Sequence, residues 1–507
     1  MMAHLITLER LRGEGETLMQ EVSREYYEAH AGLKPTADLQ RIYERHADIL
    51  GDEAMALVLE DFRRQAHDTD AHRSARLLLD WLVESQTGRL LAEHDEREIA
   101  WESTAVVHVP DGRQVPYQRT AIEIANAPNR VERIALDDAR ARLVERELAP
   151  MRQERLEREH AYVGGLGIAG TYNATFEALS GVDLAGLAAD CERCLRDTQD
   201  MWDDVLPPAL HSALGVGVRD ATRADALALF RAPQFDGAFP AADLEPAVRR
   251  QMHEMGMDPV AAGRVRYDTG ERAGKRARAF CAPVRIPDEV YLVMRPHGGQ
   301  TDWQTFLHEL GHALHFGYTR ADYPFEYRWM GDNSVTEAYA MLFDHLVQTR
   351  GWLRQYTGLS RADLPKYLRA AALEELQFVR RYCAKLLYEV QLHGGSVSWD
   401  ALPALYVETL STATNFRYQP ADAFVDVDSR YYAVRYLRAW QLGAVLAATL
   451  VDLFNEDWFR NPRAGPWIVG TLFAEGQREL AHELAARVSG RALSFTPVIR
   501  KIEGLLE

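Results

Sequence analysis

The stretch that most restricts this chain is Thr305-Phe306-Leu307-His308-Glu309-Leu310-Gly311-His312-Ala313-Leu314-His315. Two histidines four apart converge on one point only if the backbone between them is helical, because residues i and i+4 share a helix face. Leu307, Leu310, Ala313 and Leu314 are apolar, so the predicted helix is mostly buried and its imidazoles lie in structured surroundings. Imidazole is a natural zinc ligand, and a catalytic zinc site takes three protein ligands and leaves the fourth position for water. Glu309 follows the first histidine and is placed to face that water as general base. The pattern predicts a Zn2+ site with His308 and His312 as ligands.

The third ligand has to come from elsewhere, since no Gly-x-x-His follows His312. Residues 334–348 read as a second helix, and Glu337 lies in its first turn, 25 residues after His312. That gap accommodates one loop and an antiparallel return past the motif helix. Glu337 is the expected third ligand. Asp322, Glu326 and Asp332, in the aromatic, loop-like stretch between the helices, are the competing carboxylates, for which a solvated loop charge is the stronger reading. Asp344 is a candidate to orient a histidine from behind. His315 and His345 read as core or rim histidines, given four-coordinate zinc.

Helical periodicity dominates the rest of the chain. Residues 16–33, 38–48, 53–66 and 73–95 carry apolar positions three and four apart, and 135–160 reads as one long charged helix. Strand signals are few: 104–109 turning at Pro110-Asp111-Gly112 into 114–117, then 278–286 and 289–295. A boundary near 270 gives a helical half, 1–270, and a catalytic half, 271–507. Gly165-Leu166-Gly167-Ile168-Ala169-Gly170 follows a helix rather than a strand, so it reads as a helix–helix connection and not a dinucleotide site. Cys191-Glu192-Arg193-Cys194 lies in a helical pattern with no second pair, which argues against redox or zinc chemistry.

Composition sets the outer limits. Of 507 residues, 47% are hydrophobic and 26% charged, an ordinary globular balance. The net charge of −17 repels phosphate backbones, so no nucleic-acid partner is expected. Four cysteines do not make a disulfide framework and suit a reducing compartment. No apolar run reaches the ~20 residues that span a bilayer, and the N-terminus lacks the apolar core of a signal peptide. The expectation is a cytoplasmic protein without membrane contact; the sequence leaves its oligomeric state open.

Taken together, these residues resemble a gluzincin peptidase. More narrowly, they are similar to the thimet oligopeptidase and oligoendopeptidase F family, with the angiotensin-converting enzyme family as a neighbouring match. The resemblance is carried by His308 to His315, similar to that family's H-E-x-G-H-A-x-H, and by Val335-Thr336-Glu337 at the matching distance. Gly274-Lys275-Arg276-Ala277-Arg278-Ala279-Phe280 resembles the family's Gly-Lys run into the active-site strands. The likeness spans roughly residues 260–507. It implies a mainly α fold, with two helical halves enclosing a deep substrate channel and a small antiparallel β element beside the zinc helix. It further implies zinc-dependent cleavage of short, unfolded peptides. Tyrosines near the C-terminus of such enzymes hydrogen-bond the oxyanion or hold substrate. Tyr432 and Tyr436 match them here, and Tyr431 matches under a one-residue shift. Where the families place a histidine a few residues earlier, this chain has Asp426-Val427-Asp428.

Residues 289–295 are expected to form an edge strand that takes an extended peptide by β-augmentation, the alternative being an edge covered by helices. His297-Gly298-Gly299 would then be a flexible link into the motif helix. Endo- versus exo-cleavage stays open. A carboxypeptidase or dipeptidyl carboxypeptidase would need a cation for the substrate carboxylate, with Arg430 and Arg435 as candidates. A non-catalytic peptide-binding relative is the other alternative, against which Glu309 speaks, because a binding module needs no base beside its metal.

Overall fold

The computed structural model describes residues 6–507, and it is mainly helical with two small sheets. The expected N-terminal helices appear as Leu8–His30, Leu39–Arg45, Asp52–Arg64 and Asp70–Thr104. The stretch expected as one helix over 135–160 is two, Arg130–Leu143 and Ala149–Gly165, joined by a wide π turn over Val144–Leu148. Pro150 is the cause. It has no N–H to donate and its ring crowds the carbonyl one turn back, so the backbone widens just before it. The glycine-rich run then joins this helix to Tyr172–Ser180, as a helix–helix connection should. Cys191 and Cys194 are free and buried within Leu184–Asp197.

The chain forms two compact units, each assembled from separate segments. The first comprises Met1–Ser85, Gln234–Tyr367 and Arg438–Pro497; the second comprises Gln86–Pro233, Leu368–Leu437 and Val498–Glu507. Residue 270 lies inside the first unit rather than at a break between units. One stretch, Ser429–Phe454, is long and apolar enough to cross a membrane, yet 67% of its apolar window is buried inside the protein. Burial of that kind belongs to a core helix.

In the second unit, strands β1 (Val106–His108) and β2 (Gln114–Pro116) form the expected antiparallel hairpin. Val107 and Val115 face each other across it and enter a core with Ile124, Leu136 and Leu143. In the first unit, β3 (Val265–Asp268), β4 (Phe280–Arg285) and β5 (Glu289–Val293) make a sheet in the order β3-β5-β4. This overturns the edge-strand expectation for 289–295: β5 is central, antiparallel to β4 and parallel to β3. The element beside the motif helix is therefore a mixed sheet, of which only β4 and β5 are antiparallel. Pro283 accounts for the order. A proline cannot donate to a second ladder, so β4 takes the margin, and β5 finds its other partner in a four-residue strand too short to stand out in the sequence.

Candidate metal centre

The motif helix is Gln300–Tyr318. It follows Gly298 and Gly299, with φ of +93° and +95°, a region where a side chain is strained. Their amides are engaged. Asp302 Oδ2 accepts from the His297 and Gly298 N–H groups at 2.6 and 2.9 Å, and Gly299 N–H donates to the Phe239 carbonyl at 2.8 Å. The glycine pair is a fixed turn rather than the flexible link expected. From there Trp303, Phe306, Leu307, Leu310, Ala313 and Leu314 are fully buried, which seats the helix and leaves little freedom at its histidines.

The carboxylate helix is Asn333–Asp344, and every residue from Ser334 to Asp344 is buried. Asp332 caps it, accepting from Ser334 N–H at 2.9 Å. The helices cross closely at Gly311, where a β-carbon would lie 2.5 Å from both the Ala340 Cα and the Tyr339 carbonyl oxygen. A glycine at the crossing lets the second backbone come near enough for Glu337 to reach the imidazoles.

His308, His312 and Glu337 converge: one ligand atom from each lies within 4.8 Å of the others, the one such cluster found among the described residues. Glu337 Oε2 is 3.4 Å from His308 Nε2 and 3.7 Å from His312 Nε2. Donor atoms on a tetrahedral zinc, each ~2.0–2.1 Å from the ion, are about 3.3 Å apart, so these spacings fit a small divalent cation. Both Nδ1 atoms are held from behind. His308 Nδ1 meets Asp344 Oδ2 at 2.8 Å, the orienting role expected of Asp344, and His312 Nδ1 meets Thr336 Oγ1 at 2.9 Å. Each Nε2 is thereby directed inward as a lone-pair donor. Burial pulls the His308 imidazole down, but Asp344 and Glu337 outweigh it and hold its pKa well above the ordinary histidine value. The neighbourhood favours positive charge. His312, with no carboxylate behind it, is held below the ordinary value by burial.

The remaining candidates fall into place around this centre. Asp322 is an exposed charge paired with Arg320 at 2.6 Å, as expected. Glu326 and Asp332 are not solvated charges. Glu326 is buried against Arg12 at 3.0 Å, and Asp332 also accepts from Ala481 N–H at 2.9 Å beside Arg438. Each is committed to its own partners. His315 is fully buried and outside the ligand cluster, and His345 Nε2 sits 3.7 Å from Asp344 Oδ1. Glu309 is half-buried on the motif helix, and its carboxylate adds, after burial, to the upward push on the Cys281 thiol of β4. Thr336 is the residue sequence reasoning missed. Its signal was position, next to Glu337 and opposite two histidines three apart, but a threonine in an apolar helix reads as filler.

Tyr432 and Tyr436 belong to the second unit, half-exposed, with ring centroids 5.2 Å apart. Tyr436 also packs on Tyr382 at 5.4 Å, and the Arg435 guanidinium lies 5.1 Å over the Tyr432 ring. Tyr431 is different: it is fully buried and its hydroxyl donates to Asn173 Oδ1 at 2.7 Å. Its hydroxyl is thereby committed to the interior of the second unit. Asp426 and Asp428 bind the long helix Leu364–Gly394, Asp426 through Arg381 at 2.6 Å and Asp428 through Lys385 at 2.5 Å. Arg430 and Tyr431 follow with φ of +54° and +55°, so a strained turn, tied down by two ion pairs, leads into the tyrosine helix. No family model and no curated protein matches the chain.

Proposed function

We propose that this chain is a zinc-dependent peptidase of the gluzincin type, acting on short, unfolded peptides. The observation that carries the reading is the convergence of His308, His312 and Glu337 with both Nδ1 atoms engaged from behind. Two imidazoles and one carboxylate are the ligand set of catalytic rather than structural zinc. A zinc ion held there supplies Lewis-acid polarisation and lowers the pKa of water toward ~7. Glu309 takes the proton of the attacking water and returns it to the leaving amine. On the family resemblance, Tyr432 or Tyr436 is assigned the hydrogen bond to the charge that builds on the carbonyl oxygen, a contact of a kind worth roughly 3–4 kcal/mol. An extended peptide pairs with β4, one of the two outer strands of its sheet, ahead of Pro283, whose carbonyl already accepts from Ser23 Oγ at 2.8 Å. A channel that admits only flexible peptides is part of this reading, and it rests on the family resemblance.

The test is mass spectrometry of products from a mixed peptide library, with and without a chelator. Internal cleavage that stops on chelation and returns with Zn2+ is the expected result. Products shortened only from the C-terminus would make the enzyme an exopeptidase of the same chemistry. No cleavage by the zinc-loaded chain, or cleavage indifferent to chelator, would remove the assignment. Native serum albumin should survive under the conditions that cleave the peptides.

A further inference from the structure

Thr336 lies one residue before Glu337, with its hydroxyl between two imidazoles, 2.9 Å from His312 Nδ1 and 3.1 Å from His315 Nδ1. A threonine hydroxyl donates one proton and accepts through its lone pairs. For His312 to present a lone pair at Nε2, its proton must sit on Nδ1, where it is donated to Thr336 Oγ1. The hydroxyl proton then points to His315 Nδ1, which has to carry a lone pair. His315 suits that task, being fully buried among the rings of Phe316, Tyr339 and Phe473 at 5.1, 4.9 and 6.1 Å. Burial drives its pKa down to about 3, so it stays uncharged and able to accept. The proton order runs one way, from His312 through Thr336 to His315.

We propose that Thr336 and His315 are a positioning pair that locks His312 into the tautomer able to bind a cation, so that the third histidine of the motif raises metal affinity without touching the metal. This rests on the zinc reading above. It also explains an asymmetry between the two ligands. His308 is backed by a charged carboxylate and His312 by a neutral hydroxyl, so only one of the two groups behind the imidazoles adds negative charge to the centre.

The experiment measures the zinc dissociation constant of the full chain by competition with a chromogenic chelator, alongside a thermal melt for each variant. Thr336→Ser should stay within a few-fold of wild type. Thr336→Val, which keeps the shape but removes the hydroxyl, should weaken zinc about 10–100-fold. His315→Phe should weaken it less, and the double variant should be no worse than Thr336→Val alone, because His315 acts only through the hydroxyl. His315→Gln, whose amide oxygen can accept the hydroxyl proton, should restore most of the loss and covers the case in which the phenylalanine variant does not fold. Additive losses in the double variant, or Thr336→Val at wild-type affinity, would overturn the pair while leaving the zinc centre standing. A wild-type chain that binds no zinc would overturn both.

Discussion

Glu309 and Glu337 are both glutamates beside the same imidazoles, and their surroundings give them different work. Glu337 is buried, with Oε2 within 3.4 and 3.7 Å of the two Nε2 atoms, so its removal takes away a donor. Glu309 is half-buried and outside the ligand cluster. Glu337→Ala should therefore lose zinc, read as metal per chain after dialysis. Glu309→Gln should keep about one zinc while losing several orders of magnitude in peptide hydrolysis, because an amide takes no proton from water. Activity within tenfold of wild type in Glu309→Gln would sink its role as base. At this scale the sequence was informative. Helical spacing alone brings His308 and His312 to one face, and the next long helix offers Glu337 and Asp344, although the connection holds a short helix, Phe325–Trp329, where a plain loop was expected. Thr336 stood in the sequence only as the neighbour of Glu337, because its contact with two imidazoles depends on the rotation of one helix against another.

The meeting of the two ligand helices depends on a missing side chain. Gly311 carries nothing toward Ala340 and Tyr339, and a methyl group there would sit 2.5 Å from backbone atoms that cannot swing aside. Gly311→Ala should cost about 1–3 kcal/mol, as overpacking of a close-packed core does. By prising Glu337 away it should also weaken zinc binding. A chelator titration beside a urea melt reads both, and unchanged zinc affinity would mean that the crossing does not set the ligand geometry. Helices were legible because their 3.6-residue period is local. The sheet was not: β5 pairs with β3, whose residues lie more than twenty positions upstream, and only Pro283 hinted that β4 is an outer strand and β5 the central one. Pro150 likewise carried a signal, against a single helix over 135–160, that charge patterning obscured.

Each unit of the whole molecule has a distinct source of stability. The second holds a buried ion network in which Arg140 binds Asp422 at 2.7 and 2.9 Å and Asp137 at 2.9 Å. Asp422→Ala leaves that guanidinium short of partners in a dry setting and should destabilise this unit by about 3 kcal/mol, measured by urea unfolding; a loss under 1 kcal/mol would mean that water enters. The first unit holds every proposed zinc ligand. Zinc at a hundredfold excess over its Kd adds about 2.7 kcal/mol, and the gain in hydrogen-exchange protection should concentrate in Gln300–Tyr318 and Asn333–Asp344. Protection gained equally in both units would contradict a centre confined to one. The composition of the units could not be read from the sequence, since no linker-like stretch marks a boundary. This discontinuity also bears on how the protein is made. Asp332, which caps the Glu337 helix, is itself held by Ala481 N–H beside Arg438. A ribosome adding roughly 5–20 residues per second reaches Ala481 on the order of ten seconds after Glu337. Throughout that interval the nascent chain carries both histidines and their carboxylate without the segment that holds Asp332, so the cap of the Glu337 helix is completed late, by residues outside the ligand cluster.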